Sequence, residues 1–71
     1  MKTANLTDCA RTILTILARG DARFDDLGCR IPPAMLRDMS GALNDMEEAG
    51  LVERGGSWNR ITPAGRAALA A

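Results

Sequence analysis

Histidine is absent from this chain, and cysteine occurs only at Cys9 and Cys29. Those two scarcities exclude most side-chain chemistry: there is no zinc-ligand set, no Ser-His or Cys-His nucleophile pair and no CxxC redox motif. The acidic pairs Asp25-Asp26 and Glu47-Glu48 do not substitute for them. Neighbours on a helix point about 100° apart and do not converge on one substrate atom. The sequence therefore reads as a non-enzyme with no cofactor and no metal. A Cys9–Cys29 disulfide would not persist in a reducing compartment, so Cys9 is expected at a core edge and Cys29 as a partly exposed free thiol.

Long hydrophobic runs are missing too. None approaches the roughly 20 residues that span a bilayer, and Met1-Lys2 opens a polar, threonine-rich segment instead of the apolar block of about 7–15 residues in a secretory signal. A cytoplasmic protein without a membrane span is expected. Excess charge is the third absence: nine basic and nine acidic residues sum to zero, whereas nucleic-acid-binding domains are usually basic. The charges are unevenly spread, however. Residues 51–71 hold Arg54, Arg60 and Arg66 against Glu53 alone, while residues 35–50 hold Arg37 against Asp38, Asp45, Glu47 and Glu48. Phosphate contacts would concentrate on the wing, the hairpin expected after residue 50, and on scattered arginines.

What is present suits one small domain over residues 1–71. At this size folding buries only about 60% of the unfolded chain's surface, so a single core carries the stability. Residues 1–5 read as a frayed terminus. A first helix is expected from Thr7 to Arg19, with Leu6, Cys9, Ala10, Ile13, Leu14, Ile16 and Leu17 on one apolar arc. Asn5 or Thr7 caps its start and Gly20 takes a left-handed position at its end. Ala22-Arg23-Phe24 is short for a strand but would add a third member to a later hairpin, and Phe24 is expected to turn inward beside Leu27 and Ile31 of the helix that follows. Asp25 then caps a second helix, Asp26–Arg30, whose Leu27 aligns with Ile31, and Pro32-Pro33 supplies a turn.

The longest periodic segment follows. On a wheel of about 100° per residue, Met35, Leu36, Met39, Ala42, Leu43, Met46 and Ala49 lie within about 80° of Met39. The opposite side carries Arg37, Ser40, Gly41, Asn44 and Glu48. Gly50 ends this third helix at its C′ position. Strands at Leu51–Arg54 and Trp58–Thr62 flank a Gly55-Gly56-Ser57 turn, whose glycines permit positive φ. Thr62 caps a short last helix, Ala64–Ala71, with Pro63 at its first position. The expected fold is α+β and mostly α: a winged helix-turn-helix with a three-helix core, a small β-hairpin wing and a short C-terminal helix.

Four segments in this order, ILTILARGDARFDDL, Ile31-Pro32, MEEAGLVER and ITPAGRAAL, resemble the winged helix-turn-helix regulators of the MarR and HxlR kind over roughly residues 13–69. The resemblance implies sequence-specific binding to double-stranded DNA by a bacterial or phage transcriptional regulator. Arg37, Ser40, Gly41 and Asn44 would form the recognition-helix site: arginine pairs with guanine, asparagine with adenine, and glycine lets the backbone approach. Arg54, Ser57, Trp58 and Arg60 would form the wing site. Trp58 either stacks on a sugar or partner or packs on its own hairpin.

Three features depart from the family pattern: Asp38 and Asp45 beside the recognition face, a short wing turn, and no long dimerisation helices. They favour a minimal form of the domain; because one short domain makes few contacts with DNA, a weak homodimer through the first helix or the exposed part of the last is expected. They also admit a competing class, a winged-helix module whose third helix docks a protein partner without binding DNA.

Overall fold

The computed structural model describes residues 6–70. In order these form α1 (Asp8–Leu17), β1 (Ala22–Arg23), α2 (Phe24–Arg30), a 3-10 turn (Pro33–Met35), α3 (Leu36–Glu48), β2 (Val52–Gly55), β3 (Trp58–Ile61) and α4 (Pro63–Ala70). The fold is α+β and mostly helical, with one three-stranded antiparallel sheet in the order β1-β3-β2. The segment 1–5, with Asn5 as a possible cap, and Ala71 fall outside the described residues.

Thr7 starts α1. Its hydroxyl accepts a bond from the Ala10 N–H at 3.1 Å, satisfying one of the free donors of the first turn. Cys9, Ala10, Ile13, Leu14 and Leu17 are buried as the periodicity requires, and Arg11 and Thr15 face water. α1 is the pillar of the core, packing against α2, α3, α4 and β3. It stops two residues short of the expected Arg19. The N–H groups of Ala18, Arg19 and Gly20 bond to the carbonyls of Leu14, Ile16 and Leu17 in a tightening turn, and Gly20, at φ 159°, is near-extended and not left-handed helical. That conformation leads directly into β1.

β1 joins the hairpin as its third strand, pairing Ala22 with Asn59 and Arg23 with Trp58. It lasts two residues because Phe24 already belongs to α2. Arg23 is therefore the N-cap residue, without a side-chain capping bond, and Asp25 is inside the first turn, where its carboxylate faces the positive end of the helix. Phe24 is not turned inward: it is 41% exposed, standing at the very start of α2 beyond Leu27 and Ile31, the residues that reach the core. Cys29 is exposed and Cys9 buried, both as free thiols.

Pro32 (φ −55°, ψ 141°) breaks the helical path, and the 3-10 turn holds Met35, so α3 begins only at Leu36. Met39, Leu43 and Met46 are buried. Leu36, Met35 and Ala49 lie at or beyond the helix ends and are less covered; Leu36 is 43% exposed. Gly50 takes φ 79°. Its N–H bonds to the Glu47 carbonyl and that of Leu51 to the Met46 carbonyl, the paired closure that ends a helix on a left-handed glycine.

The hairpin turn is tighter than expected. Gly55 pairs with Trp58, so only Gly56 and Ser57 form the loop, and Gly56 supplies the positive φ (58°) that two-residue hairpin turns demand. Thr62 caps α4 by accepting from the Gly65 N–H at 3.0 Å, and its hydroxyl donates to the Gly50 carbonyl at 2.6 Å. One side chain thus ties the ends of α3 and α4 together.

Candidate nucleic-acid interface

Arg37, Ser40, Gly41 and Asn44 are all exposed on α3. Their spacing of three, four and seven residues makes a single stripe about 10 Å long. Nothing lies within 4 Å of a methyl built on Gly41, so the stripe has bare backbone at its middle. Its C-terminal end meets the hairpin. Arg54 Nη1 donates to Asn44 Oδ1 at 2.6 Å and stands 3.8 Å from Glu47. Because a guanidinium carries donors only, the Asn44 amide oxygen must face Arg54, which leaves its NH2 group to other partners.

Strand alternation divides the wing residues between two faces. Arg54 pairs with Asn59 and projects on the α3 side, while Trp58 with Gly55, and Arg60 with Glu53, stand on the other. On that second face the Trp58 ring, 37% exposed, is flanked by Gly55 and Arg60. Gly55 lies against it so closely that a Cβ there would fall 2.6 Å from Cζ2, and the Arg60 guanidinium sits 4.6 Å above its centroid. Arg60 is held in turn by Asp21, to which Nε and Nη2 donate at 3.2 and 3.1 Å. The carboxylate raises the guanidinium pKa above its ordinary value through the hydrogen bond and its charge. Of the two readings of Trp58, the geometry favours packing on its own hairpin.

The structure therefore brings Arg37, Ser40, Gly41, Asn44 and Arg54 together, puts Ser57 in the turn, and sets Trp58 and Arg60 on the far face of the hairpin. Sequence reasoning missed Asp21 and Asn59. Asn59 is buried, and its side-chain amide donates to the Ala22 carbonyl at 3.3 Å, fastening β1 to the hairpin. A polar residue between two outward positions of an alternating strand is its only local signal. Asp38 and Asp45 are not on the wing side of the stripe. They line a cleft between α3 and the start of α1, with Thr7, Asp8, Cys9, Met35 and Ala42; Arg37 and Gly41 form its rim.

No family model, curated protein or solved structure matches this chain. Among the described residues no helix is long and apolar enough to cross a membrane.

Proposed function

We propose that this protein binds double-stranded DNA as a small winged-helix transcriptional regulator, with α3 in the major groove and the β2–β3 hairpin on the adjacent backbone. The observation that carries the reading is the Arg54–Asn44 contact. It couples the wing's arginine to the last residue of the exposed α3 stripe, so that one rigid surface offers a phosphate-binding cation beside base-reading side chains. Asn44 accepts from Arg54 with one lone pair and keeps a second for an adenine amino group, while its NH2 reaches the adenine N7. Arg37, two turns earlier, suits guanine. With net charge zero, affinity for random duplex is weak and discrimination falls to base contacts. Pairing of two copies on a two-fold site would supply the missing contact area.

A fluorescence-anisotropy titration against a selected and a random duplex, across a salt series, tests this. Arg54→Ala is expected to weaken both complexes alike and lower the salt slope by about one. Asn44→Ala or Arg37→Ala is expected to cost about 1–3 kcal/mol on the selected site and little on the random one. If selection from a randomised duplex pool enriches no sequence and the salt slope is near zero, the reading is wrong.

A further inference from the structure

The cleft between α1 and α3 is not explained by DNA binding. It is an open depression of about 570 Å³ lined by Thr7, Asp8, Cys9, Met35, Asp38, Ala42 and Asp45, with Arg37 and Gly41 of the α3 stripe at its edge. It continues, through the shared residues Thr7, Ala42 and Asp45, into a smaller hollow of about 110 Å³ whose walls are Leu6, Ala10, Met46, Ala49 and Leu51. Together they make a groove along α3 from Asp38 to Ala49, roughly 16 Å or three helical turns long. Its floor is apolar: Cys9, Ala10, Met46 and Leu51 are buried beneath it, while Ala42 and Ala49, small side chains with accessible surface, leave room above.

The rim has one dominant sign. Asp8, Asp38 and Asp45 are exposed along it, against Arg37 alone. Among the described residues the ion pairs are Arg54–Glu47 and Arg60–Asp21, and Asp8, Asp38 and Asp45 take part in neither. A rim that is mainly carboxylate repels a phosphate backbone, and with an apolar floor between it complements a chain with one apolar side and lysines or arginines beside it.

We infer that this groove docks an amphipathic, basic helix of a partner protein, its apolar residues at i, i+3/i+4 and i+7 over Ala42 and Ala49 and its cations against Asp8, Asp38 and Asp45. The groove shares Arg37 and Gly41 at its edge with the DNA-reading stripe, but the proposal rests on Asp8, Asp38, Ala42 and Asp45, none of which the DNA reading uses. It places a protein contact and a nucleic-acid contact on two edges of α3, as a regulator recruited by or recruiting another protein requires.

The probe is a fluorescein-labelled 14-residue helical peptide with leucines at that spacing and lysines elsewhere, alongside a version with glutamate for lysine. The lysine peptide is expected to bind the full chain and shift the backbone amide NMR signals of Thr7–Ala10, Asp38, Ala42 and Asp45. Asp38→Asn with Asp45→Asn should weaken it about five- to tenfold, in line with two rim charge pairs. Ala42→Arg, which fills the groove and places a cation among its carboxylates, should abolish it. At about 0.15 M salt the double asparagine variant should bind duplex DNA as the parent does, so failure of the DNA reading leaves the peptide result standing. The inference is overturned if the glutamate peptide binds equally, if the shifted signals lie elsewhere, or if no peptide binds at millimolar concentration. It is also overturned if the lysine peptide binds only after residues 1–5 are deleted, which would make the chain's own terminus the occupant, or if sedimentation shows a second copy occupying the groove.

Discussion

Gly65, in the first turn of α4, and Gly41, inside α3, should respond to the same substitution with opposite signs. Helix propensity alone says that Gly→Ala stabilises either helix by about 1 kcal/mol. At Gly41 nothing opposes this, since an added Cβ meets no atom within 4 Å; Gly41→Ala should raise the melting temperature by about 4–8 °C. Gly65 is buried. There the methyl would run into the backbone carbonyl oxygen of Leu51, well inside contact distance, and approach Ile61 Cγ1 at 2.8 Å. Neither obstacle is the free end of a flexible side chain. α4 would have to lift from the end of β3, straining the Thr62 cap that Gly65 itself completes. Overpacking of this kind costs about 1–3 kcal/mol and loss of a cap about 1 kcal/mol. Set against the propensity gain, Gly65→Ala should destabilise by about 2 kcal/mol and lower the melting temperature by about 10 °C. Circular dichroism during thermal and urea unfolding measures both. A Gly65→Ala protein as stable as the parent, or more so, would refute the close approach of α4 to Leu51. On DNA the Gly41 methyl should act the other way from its effect on stability, weakening duplex binding by holding the α3 backbone off the groove.

Three further outcomes are expected. Leu43, fully buried on α3, should cost about 2–4 kcal/mol on truncation to Ala; a loss under about 0.5 kcal/mol in urea unfolding would reverse the facing of that helix. Asp21→Asn releases Arg60 from its carboxylate partner; if Arg60 then meets phosphate, the salt slope of duplex binding rises by about one, whereas an unchanged slope assigns Arg60 to the Trp58 stack alone. A disulfide-exchange reagent should modify Cys29 at once and Cys9 only as the domain opens. Burial first, and the Asp38 charge second, hold the Cys9 thiol above its ordinary pKa. A raised folded-state pKa gives stability that is complete below the unfolded thiol value of about 8.5 and is lost as pH rises through the folded one. Cys9→Ala should therefore flatten the alkaline decline in melting temperature; an unaltered decline above pH ~9 would exclude Cys9 as its source.

How much of this was legible follows from the range over which each signal acts. The core was, because burial in α1 and α3 repeats with the helical period: Ile13, Leu14, Leu17, Met39, Leu43 and Met46 all face inward. Thr7, Gly50 and Thr62 were legible as stops and starts, since each satisfies backbone groups within four or five residues of itself. Phe24 was misjudged because an aromatic three residues before Leu27 was expected to share its inward face, whereas as the first residue of α2 it stays 41% exposed. The Gly55 position was misjudged because either glycine of the pair can supply positive φ, and only the register of Gly55 with Trp58 decides between them. Asp21 and Arg60 are 39 residues apart, and Gly65 is buried against Leu51 by the packing of α4. No periodicity or spacing encodes either contact; both come from the tertiary arrangement.

The zero net charge takes on a different meaning once α3 is seen as having three sides. One side is core; a second, from Arg37 through Ser40 to Asn44, runs into Arg54; the third carries Asp38 and Asp45 into the α1 cleft. A helix is about 10 Å across with its side chains, which is about one Debye length at 0.1 M salt. Carboxylates on the α1 side are thus screened from a duplex on the wing side at physiological ionic strength, yet act on it in dilute buffer. Asp38→Asn with Asp45→Asn should tighten DNA binding at about 0.01 M salt, where the Debye length reaches about 30 Å, and leave it unaltered at about 0.15 M. An equal gain at both salt concentrations would mean that the aspartates stand against the phosphates themselves, and that the two edges of α3 are one surface.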